Sequence, residues 1–228
     1  MDVWKDNSHN KELLSKKVAD DIETIIAKNG ISAGEKLPNE NKLSAYLNVS
    51  RSTTREAIKL LVAKNVLEVK RGVGTFVTEN PGVVKDPLGM AYMQSSDLLD
   101  NLVQVRLIIE PEVAALAAKN CNPGLLLEIR QAAMDVEKNI DEGIDHTLVD
   151  MKFHELIAKA SANPVIERVI PIINEGIVKA YNNTKDLNES KTAVKKQHRD
   201  IVTAIAKEDC EAAKKAMEIH IKYATKYK

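Results

Sequence analysis

Residues 50–57 read Ser-Arg-Ser-Thr-Thr-Arg-Glu-Ala and open an amphipathic helix. Ser50 stands where a helix N-cap belongs, because its hydroxyl can accept hydrogen bonds from the N–H groups of the first turn. One face of the helix is apolar and consists of Ala57, Ile58, Leu61 and Val62. The opposite face carries Arg51, Ser52, Arg55 and Lys59. Guanidinium groups that donate to base edges, and hydroxyls that bind phosphates, suit a helix that enters a DNA major groove. An ordinary solvated surface helix has the same pattern.

The segments before this stretch favour the DNA-binding interpretation. A first helix is predicted over residues 11–28, ended by Asn29-Gly30, with an inward face of Leu14, Val18, Ile22, Ile25 and Ile26. A short second helix follows Asn39, a natural N-cap, and should bury Leu43, Tyr46 and Leu47. Asn48-Val49 then makes a turn into the basic helix. Two short helices joined by a tight turn indicate a helix-turn-helix.

The segment after the basic helix has the pattern of a β-hairpin. Residues 66–70 and 75–78 are rich in β-formers, and the turn between them reads Arg-Gly-Val-Gly. A hairpin directly after a helix-turn-helix is typical of a winged helix, although an ordinary hairpin has the same local pattern. In a wing, Arg71 and the bare backbone at Gly72 can approach the minor groove or the phosphates.

The charge distribution agrees with a DNA-binding N-terminal third of the chain. The 228 residues have a formal net charge of zero, but residues 1–78 hold 13 Lys+Arg against 10 Asp+Glu. Within residues 36–78 the counts are 8 and 3, whereas residues 79–228 hold 20 and 23. Positive charge is therefore concentrated around the predicted recognition helix, as expected of a nucleic-acid-binding module.

The composition predicts a mainly α protein of the cytoplasm. Aromatic residues make up only 4% of the chain, and helix formers dominate. Cys121 and Cys210 lie in no motif, which is typical of reduced intracellular thiols. No apolar run has the length of a membrane span, and the polar N-terminus is unlike a signal peptide. We therefore expect a cytoplasmic protein without membrane contact.

The chain divides into three predicted regions. Residues 1–78 form the winged helix-turn-helix, and residues 79–95 form a linker with a short helix. Residues 96–228 form an antiparallel all-helical bundle of six or seven helices. Its helices are predicted at 96–120, 123–142, 145–162, 164–184, 190–206 and 209–226.

Polar residues interrupt the apolar stripes of three bundle helices. His198 and His220 lie in the middle of two stripes, and Asp150 and His154 project from one face of a third helix, one turn apart. Buried ionisable groups need partners. Each of these residues alone fits a hydrogen-bonded core position. Together, three imidazoles and a carboxylate also fit a divalent metal site for zinc, nickel, manganese or iron.

Arg106 and Glu110 interrupt a fourth stripe, in the predicted helix 96–120. They are four residues apart, so one interpretation is a buried structural ion pair. The other is an effector site, in which the guanidinium grips a carboxylate ligand with two hydrogen bonds. An arginine beside a metal with open coordination positions would suit a hydroxy acid or a sugar acid.

Over residues 11–226 these motifs resemble the FadR subfamily of GntR transcription factors with an FCD-type effector domain. The stretch Leu37-Pro38-Asn39-Glu40-Asn41-Lys42-Leu43 resembles the family's Leu-Pro-Ser-Glu-Arg-Glu-Leu. Residues 49–57 are similar to its recognition helix, and residues 71–77 to its wing. The Arg106-x3-Glu110 pair resembles the first-helix signature of the FCD domain, and the Asp150-x3-His154, His198 and His220 set resembles its metal pattern.

The resemblance implies a homodimeric, metabolite-responsive regulator that binds a palindromic double-stranded operator. The helical domain would hold a divalent ion beneath a pocket for a small carboxylate effector, whose binding usually weakens DNA binding, as in a repressor. The implied DNA-contacting residues are Ser50, Arg51, Ser52, Thr53, Arg55, Lys59, Arg71, Gly72 and Asn41. The family often has arginine at the position of Asn41, so we expect the operator to differ from the common one.

Two other functions fit the same residues. A metal-dependent enzyme fused to a winged helix would use the metal to activate water. The spacing supplies no second general base, so we expect no enzymatic activity. A pure metal sensor would have a closed site without a cavity between the metal and Arg106.

Overall fold

A computed structural model describes residues 8–84, 86–93, 95–181 and 191–224 of the chain. The protein is mainly α-helical with one small sheet, which confirms the predicted fold class. The chain divides into two compact units, Met1–Leu88 and Gly89–Lys228, and this division falls inside the predicted linker. Among the described residues, no helix combines the length and apolarity needed to cross a membrane.

The N-terminal unit contains the predicted helix-turn-helix. Its elements are α1 (Ser8–Asn29), α2 (Glu40–Tyr46), α3 (Arg51–Ala63), β1 (Leu67–Lys70) and β2 (Gly74–Val77). Both predicted N-caps are present: the Asn39 side chain accepts from the Lys42 N–H at 2.9 Å, and the Ser50 hydroxyl from the Thr53 N–H at 3.1 Å. These bonds satisfy first-turn donors and explain why α2 and α3 begin where they do.

The predicted hairpin is an antiparallel pair of strands. Leu67 pairs with Val77 at its base, and Lys70 pairs with Gly74 at its tip. Gly72 has a φ of 72°, a conformation that L side chains rarely adopt, so the turn requires glycine there. A further antiparallel bridge joins Lys36 to Phe76.

One core holds this unit together. Buried residues of α1, α2, α3 and both strands form it, including Val18, Ile22, Leu43, Ile58, Leu61, Leu67 and Val77. Four residues predicted to face inward are instead exposed, namely Leu14, Ile25, Tyr46 and Val62. Each lies at the edge of its apolar stripe, where the packed neighbours are too few to cover it.

The C-terminal unit follows the predicted helix order closely. Its helices are α4 (Ser95–Asn120), α5 (Pro123–Glu142), α6 (Thr147–Ala160), α7 (Pro164–Tyr181), α8 (Lys191–Ala206) and α9 (Cys210–Ala224). A 3₁₀ turn, Met90–Tyr92, precedes them. Asn122 caps α5, with Pro123 at its first position, and Gly143 ends it in the left-handed conformation. The predicted ends at 182–184, 190 and 225–226 lie outside the described residues.

Four helices of this unit pack against the same helix, α4. α4 packs against α6, α7, α8 and α9, and α8 packs against α9. The main core includes Phe153, Ile157, Ile177, Ile201, Ile205 and Met217, all nearly inaccessible to solvent. Cys121 and Cys210 are free thiols. The polar residues discussed below are therefore held on helices whose apolar neighbours fix their positions.

Candidate metal centre and nucleic-acid interface

Asp150, His154, His198 and His220 lie together in the C-terminal unit. Each offers one ligand atom, and these four atoms lie within 4.8 Å of one another. The Nε2 atoms of His154 and His220 are 3.1 Å apart, and His198 Nε2 is 2.8 Å from Asp150 Oδ1. All three imidazoles are buried, whereas the Asp150 side chain is 14% exposed. Helices α6, α8 and α9 thus bring together the four residues that the sequence predicted.

Each imidazole is oriented through its other ring nitrogen. His154 Nδ1 bonds to the Glu110 carboxylate, His198 Nδ1 to the Val194 carbonyl at 2.9 Å, and His220 Nδ1 to Gln197 Oε1 at 3.2 Å. Carboxylate, carbonyl and amide oxygens only accept hydrogen bonds, so Nδ1 is the protonated nitrogen in each ring. In a neutral ring the lone pair therefore lies on Nε2, the atom that faces the centre of the cluster.

Glu110 connects the arginine to the histidine cluster. Its Oε1 accepts from Arg106 Nε at 2.5 Å, and its Oε2 accepts from His154 Nδ1. Arg106 and Glu110 are only 5% and 2% exposed. The predicted ion pair is thus present, and its carboxylate also orients a cluster histidine. The predicted effector-binding role of Arg106 and Glu110 stays a prediction.

The electrostatics keep both carboxylates ionised. Burial would raise the pKa of Glu110, but Arg106 and His154 outweigh it and lower the pKa to about 2. Burial acts in the same way on Asp150, yet the neighbouring imidazoles of His198, His154 and His220, in their protonated forms, hold its pKa well below the usual range. Burial lowers the pKa of His220 well below its usual value, and His198 adds to the effect, so this ring is neutral.

The four ligand atoms of the cluster fit a divalent cation. When all three rings are neutral, the four facing atoms are all acceptors, and a cation between them converts their repulsion into attraction. Imidazole nitrogen and carboxylate oxygen are ligands that zinc and other first-row metals accept. Bonds from each Nδ1 to a fixed acceptor are also usual in metal centres, because they set the tautomer and the direction of the ring.

The N-terminal unit presents the predicted basic face of α3 to solvent. Ser50, Arg51, Ser52, Arg55 and Lys59 are exposed, as are Arg71, Gly72 and Asn41. Thr53 differs from this set, because it is only 4% exposed and its hydroxyl bonds to that of Ser50 at 2.8 Å. Thr53 therefore supports the N-cap rather than forming part of the outer face.

Arg55 is held by a carboxylate that the sequence reasoning left out. Its Nη2 lies 2.8 Å from Glu40 Oε2, and its Nε lies 3.1 Å from the same oxygen. Glu40 is the first residue of α2, so this pair ties the recognition helix to the helix before it. The side chain of Arg55 remains 60% exposed, which leaves part of the guanidinium accessible to DNA.

Comparison with protein families identifies the chain. The family described as "Bacterial regulatory proteins, gntR family" matches residues 14–77, and the FCD domain matches residues 101–223. The FCD match alone covers more than half of the 228 residues. The chain belongs to the gntR family of bacterial regulators and carries an FCD domain.

Individual relatives of this GntR-family chain support the same family membership. The HTH-type transcriptional repressor NanR of Citrobacter rodentium is 26% identical over 226 residues, covering 92% of this chain and 84% of NanR. NanR of Salmonella newport is 25% identical over the same length, with the same coverage. The solved structure of Streptococcus agalactiae GntR has 34% identity and a TM-score of 0.84, covering 93% of this chain and 99% of that one.

These relatives confirm the predicted class of function. A GntR helix-turn-helix joined to an FCD domain is an architecture like that of the FadR subfamily. The relatives are transcriptional regulators, so this GntR-family chain is a DNA-binding transcriptional regulator and not an enzyme. The alternative of a metal-dependent enzyme is thereby set aside, and the prediction that the chain is not an enzyme is confirmed.

The sequence did not predict the contacts that three polar residues make in the FCD domain of this GntR-family chain. Glu110, which is predicted to bind effector, also orients His154. Gln197, 9% exposed, orients His220, and Asn174, 2% exposed, bonds to the Met151 carbonyl. The signal for Asn174 was available, because it interrupts the apolar stripe of Ile170, Ile173 and Ile177 just as the histidines interrupt theirs.

Proposed function

We propose that this regulator is a metabolite-responsive repressor whose FCD domain binds a divalent metal ion and a small carboxylate effector. The observation that carries the proposal is the cluster of Asp150 and three histidines whose Nδ1 atoms are all fixed by acceptors. Asp150, His154, His198 and His220 would hold the ion. A bound divalent ion supplies a Lewis acid to which a carboxylate oxygen can coordinate.

The arginine gives this site its preference for an anion. The guanidinium of Arg106 is buried, and Glu110 holds its Nε, so it is pre-oriented rather than mobile. A pre-oriented guanidinium offers N–H donors at a low entropic cost, which suits recognition of a carboxylate. We therefore infer a hydroxy acid or a sugar acid as the effector.

Effector and operator are proposed to be coupled through a homodimer on a palindromic site. A coupling free energy of about 1–3 kcal/mol changes operator affinity about 5- to 150-fold. For a repressor the coupling between effector and operator is negative, which means that the effector weakens operator binding. The exposed residues of α3 and the wing, together with Asn41, would contact the operator.

One experiment tests the effector half of the proposal. The metal-loaded protein is screened by thermal shift against small carboxylic acids, and each acid that raises the melting temperature is added to a complex with operator DNA. We expect at least one hydroxy acid or sugar acid to raise the melting temperature and to release the DNA. The Arg106→Lys variant should keep its metal and bind DNA, yet lose this response, because an ammonium lacks the planar fork of a guanidinium.

The alternative function, a pure metal sensor, gives a different outcome. A sensor would bind or release the operator as metal is added or removed with a chelator, and no carboxylic acid would alter that response. Size-exclusion chromatography with light scattering tests the dimer separately. A monomeric mass at the concentrations used for DNA binding would contradict the palindromic arrangement.

A further inference from the structure

Asn174 carries a buried hydrogen-bond acceptor that no described residue satisfies. The residue is 2% exposed and lies in α7 among Ile170, Ile173 and Ile177. Its Nδ2 donates to the Met151 carbonyl at 3.2 Å, but its Oδ1 accepts no hydrogen bond from the described part of the chain. Burying an amide oxygen without a donor destabilises a fold, whereas an isoleucine or leucine would continue this apolar stripe at no such cost.

The bond to Met151 attaches this amide to the backbone of α6. Met151 follows Asp150 directly, and His154 lies one turn further along α6. Asn174 is therefore anchored to the helix that carries two of the four cluster residues. α7 also packs closely on α4, since a Cβ added at Gly176 would lie 2.9 Å from a methyl of Leu102, one turn before Arg106. α7 thus contacts α4 and α6, two of the four helices that carry the proposed site.

An unsatisfied amide oxygen selects one kind of partner. It accepts hydrogen bonds, so it complements a hydroxyl or an N–H group and repels a carboxylate oxygen. In the structure Asn174 Oδ1 is closed off from solvent. A ligand reaches it only when the Asn174 side chain or α7 shifts, and a ligand that favours the shifted state would also change the conformation of the domain.

We propose that Asn174 is a specificity-determining residue of the effector site, and that its Oδ1 accepts a hydrogen bond from a hydroxyl of the effector. The site would then favour hydroxylated carboxylic acids over the corresponding deoxy acids. The inference rests on the proposed function, because it assumes that a carboxylate binds beside the metal and Arg106. It adds that Asn174 Oδ1 is the atom that recognises a hydroxyl group of the effector.

Matched pairs of acids test the proposal. Malate and succinate, lactate and propionate, and gluconate and hexanoate differ mainly in their hydroxyl groups. Binding of each acid to the full-length, metal-loaded protein is measured by isothermal titration calorimetry. We expect the hydroxylated member of at least one pair to bind about tenfold tighter than its partner. In Asn174→Leu this ratio should fall to about one, with metal content and circular dichroism unchanged.

Two further variants keep the result interpretable. Asn174→Ala replaces Asn174→Leu if the larger side chain prevents folding. Asn120→Ala removes another side-chain amide of the same unit, which donates to the Ser161 carbonyl at the far end of α4, and it should keep the wild-type ratio.

The outcomes separate the two proposals. An unchanged ratio in the Asn174 variants, or binding of acids without any preference for the hydroxyl, overturns the role of Asn174 alone. In that case Oδ1 is satisfied by a structural water. Failure of every acid to bind the wild-type protein overturns the effector half of the proposed function, and the role of Asn174 with it.

Discussion

Glu110 and His154 are bonded to each other across two helices, although 44 residues separate them in the chain. The other oxygen of the same carboxylate accepts from Arg106 Nε. One buried carboxylate thus links the arginine proposed to bind effector with a histidine proposed to bind metal. A ligand that displaces Arg106 from Glu110 would change the orientation of His154, so the two halves of the site are physically connected.

The first prediction concerns this link. Glu110→Gln removes the negative charge opposite His154 while preserving the shape of the side chain. We expect the affinity for zinc to fall about 10- to 100-fold, the usual effect of losing a partner that orients a metal-bound histidine. Competition with a chromophoric chelator measures it. Glu112→Gln is the matched control, since Glu112 lies on the same helix but is exposed and paired with Lys214.

The second prediction concerns the metal ligands themselves. His198→Ala and His220→Ala each remove one imidazole from the cluster, and the double variant should retain no stoichiometric metal by elemental analysis. We also expect chelation to lower the melting temperature of the wild-type protein but not that of the double variant, because a ligand stabilises only the state that binds it. His146→Ala, at the start of α6 and outside the cluster, should behave as the wild type. Metal content equal to that of the wild type in the double variant would refute the site.

The third prediction concerns the effector response. Arg106→Ala should still fold, but its operator binding should no longer respond to an acid that releases the wild-type protein. The physical reason is the loss of the guanidinium that pairs with the carboxylate. Fluorescence anisotropy of labelled operator, with and without the acid, measures the response. Because Glu110 also loses its partner, metal content is measured in parallel. Release by the acid as in the wild type would show that Arg106 is purely structural.

The fourth prediction concerns the recognition helix. Arg55→Ala should weaken specific operator binding about 5- to 150-fold, since one bidentate arginine contact contributes about 1–3 kcal/mol of discrimination. Anisotropy at one fixed salt concentration compares the operator with a scrambled duplex, because non-specific affinity depends strongly on salt. Arg130→Ala, an exposed arginine of α5, is the matched control. Equal loss of affinity for both duplexes would indicate that Arg55 contacts phosphate rather than bases.

The fifth prediction concerns Asn65, which ties the end of the recognition helix to the segment after the wing. Its Nδ2 donates to the Val83 carbonyl at 2.6 Å and to the Asn80 carbonyl at 3.2 Å, and its φ is 54°. Asn65→Ala loses both bonds and strains the left-handed backbone, so the segment 79–84 should open more readily, by about 1–3 kcal/mol.

Hydrogen exchange of a peptide covering residues 79–84 measures this opening. Asn65→Gly loses the same bonds but accepts the positive φ without strain, so it should show a smaller increase in exchange than Asn65→Ala. Asn29→Ala, which removes an exposed side-chain bond to the Ile25 carbonyl, is the control. Exchange in Asn65→Ala at the wild-type rate would mean that the side chain does not hold the segment.

The sequence by itself determined the local structure and the identity of the cluster residues. Helix caps depend on residues three positions apart, as at Asn39 and Ser50, and amphipathic stripes depend on a 3.6-residue period, so both are readable without a fold. The same periodicity placed His154, His198 and His220 inside the bundle, and their need for partners indicated a shared site.

Only the tertiary structure decided which distant partners these residues have. The bonds of Glu110 to His154, Gln197 to His220 and Asn174 to Met151 cross from one helix to another and span 44, 23 and 23 residues. Such contacts depend on how apolar faces interlock and on the rotation of each helix about its axis, which periodicity alone leaves free. The same holds for Glu40 and Arg55, 15 residues apart. Local sequence thus specifies which groups face inward, and packing specifies which groups they bind.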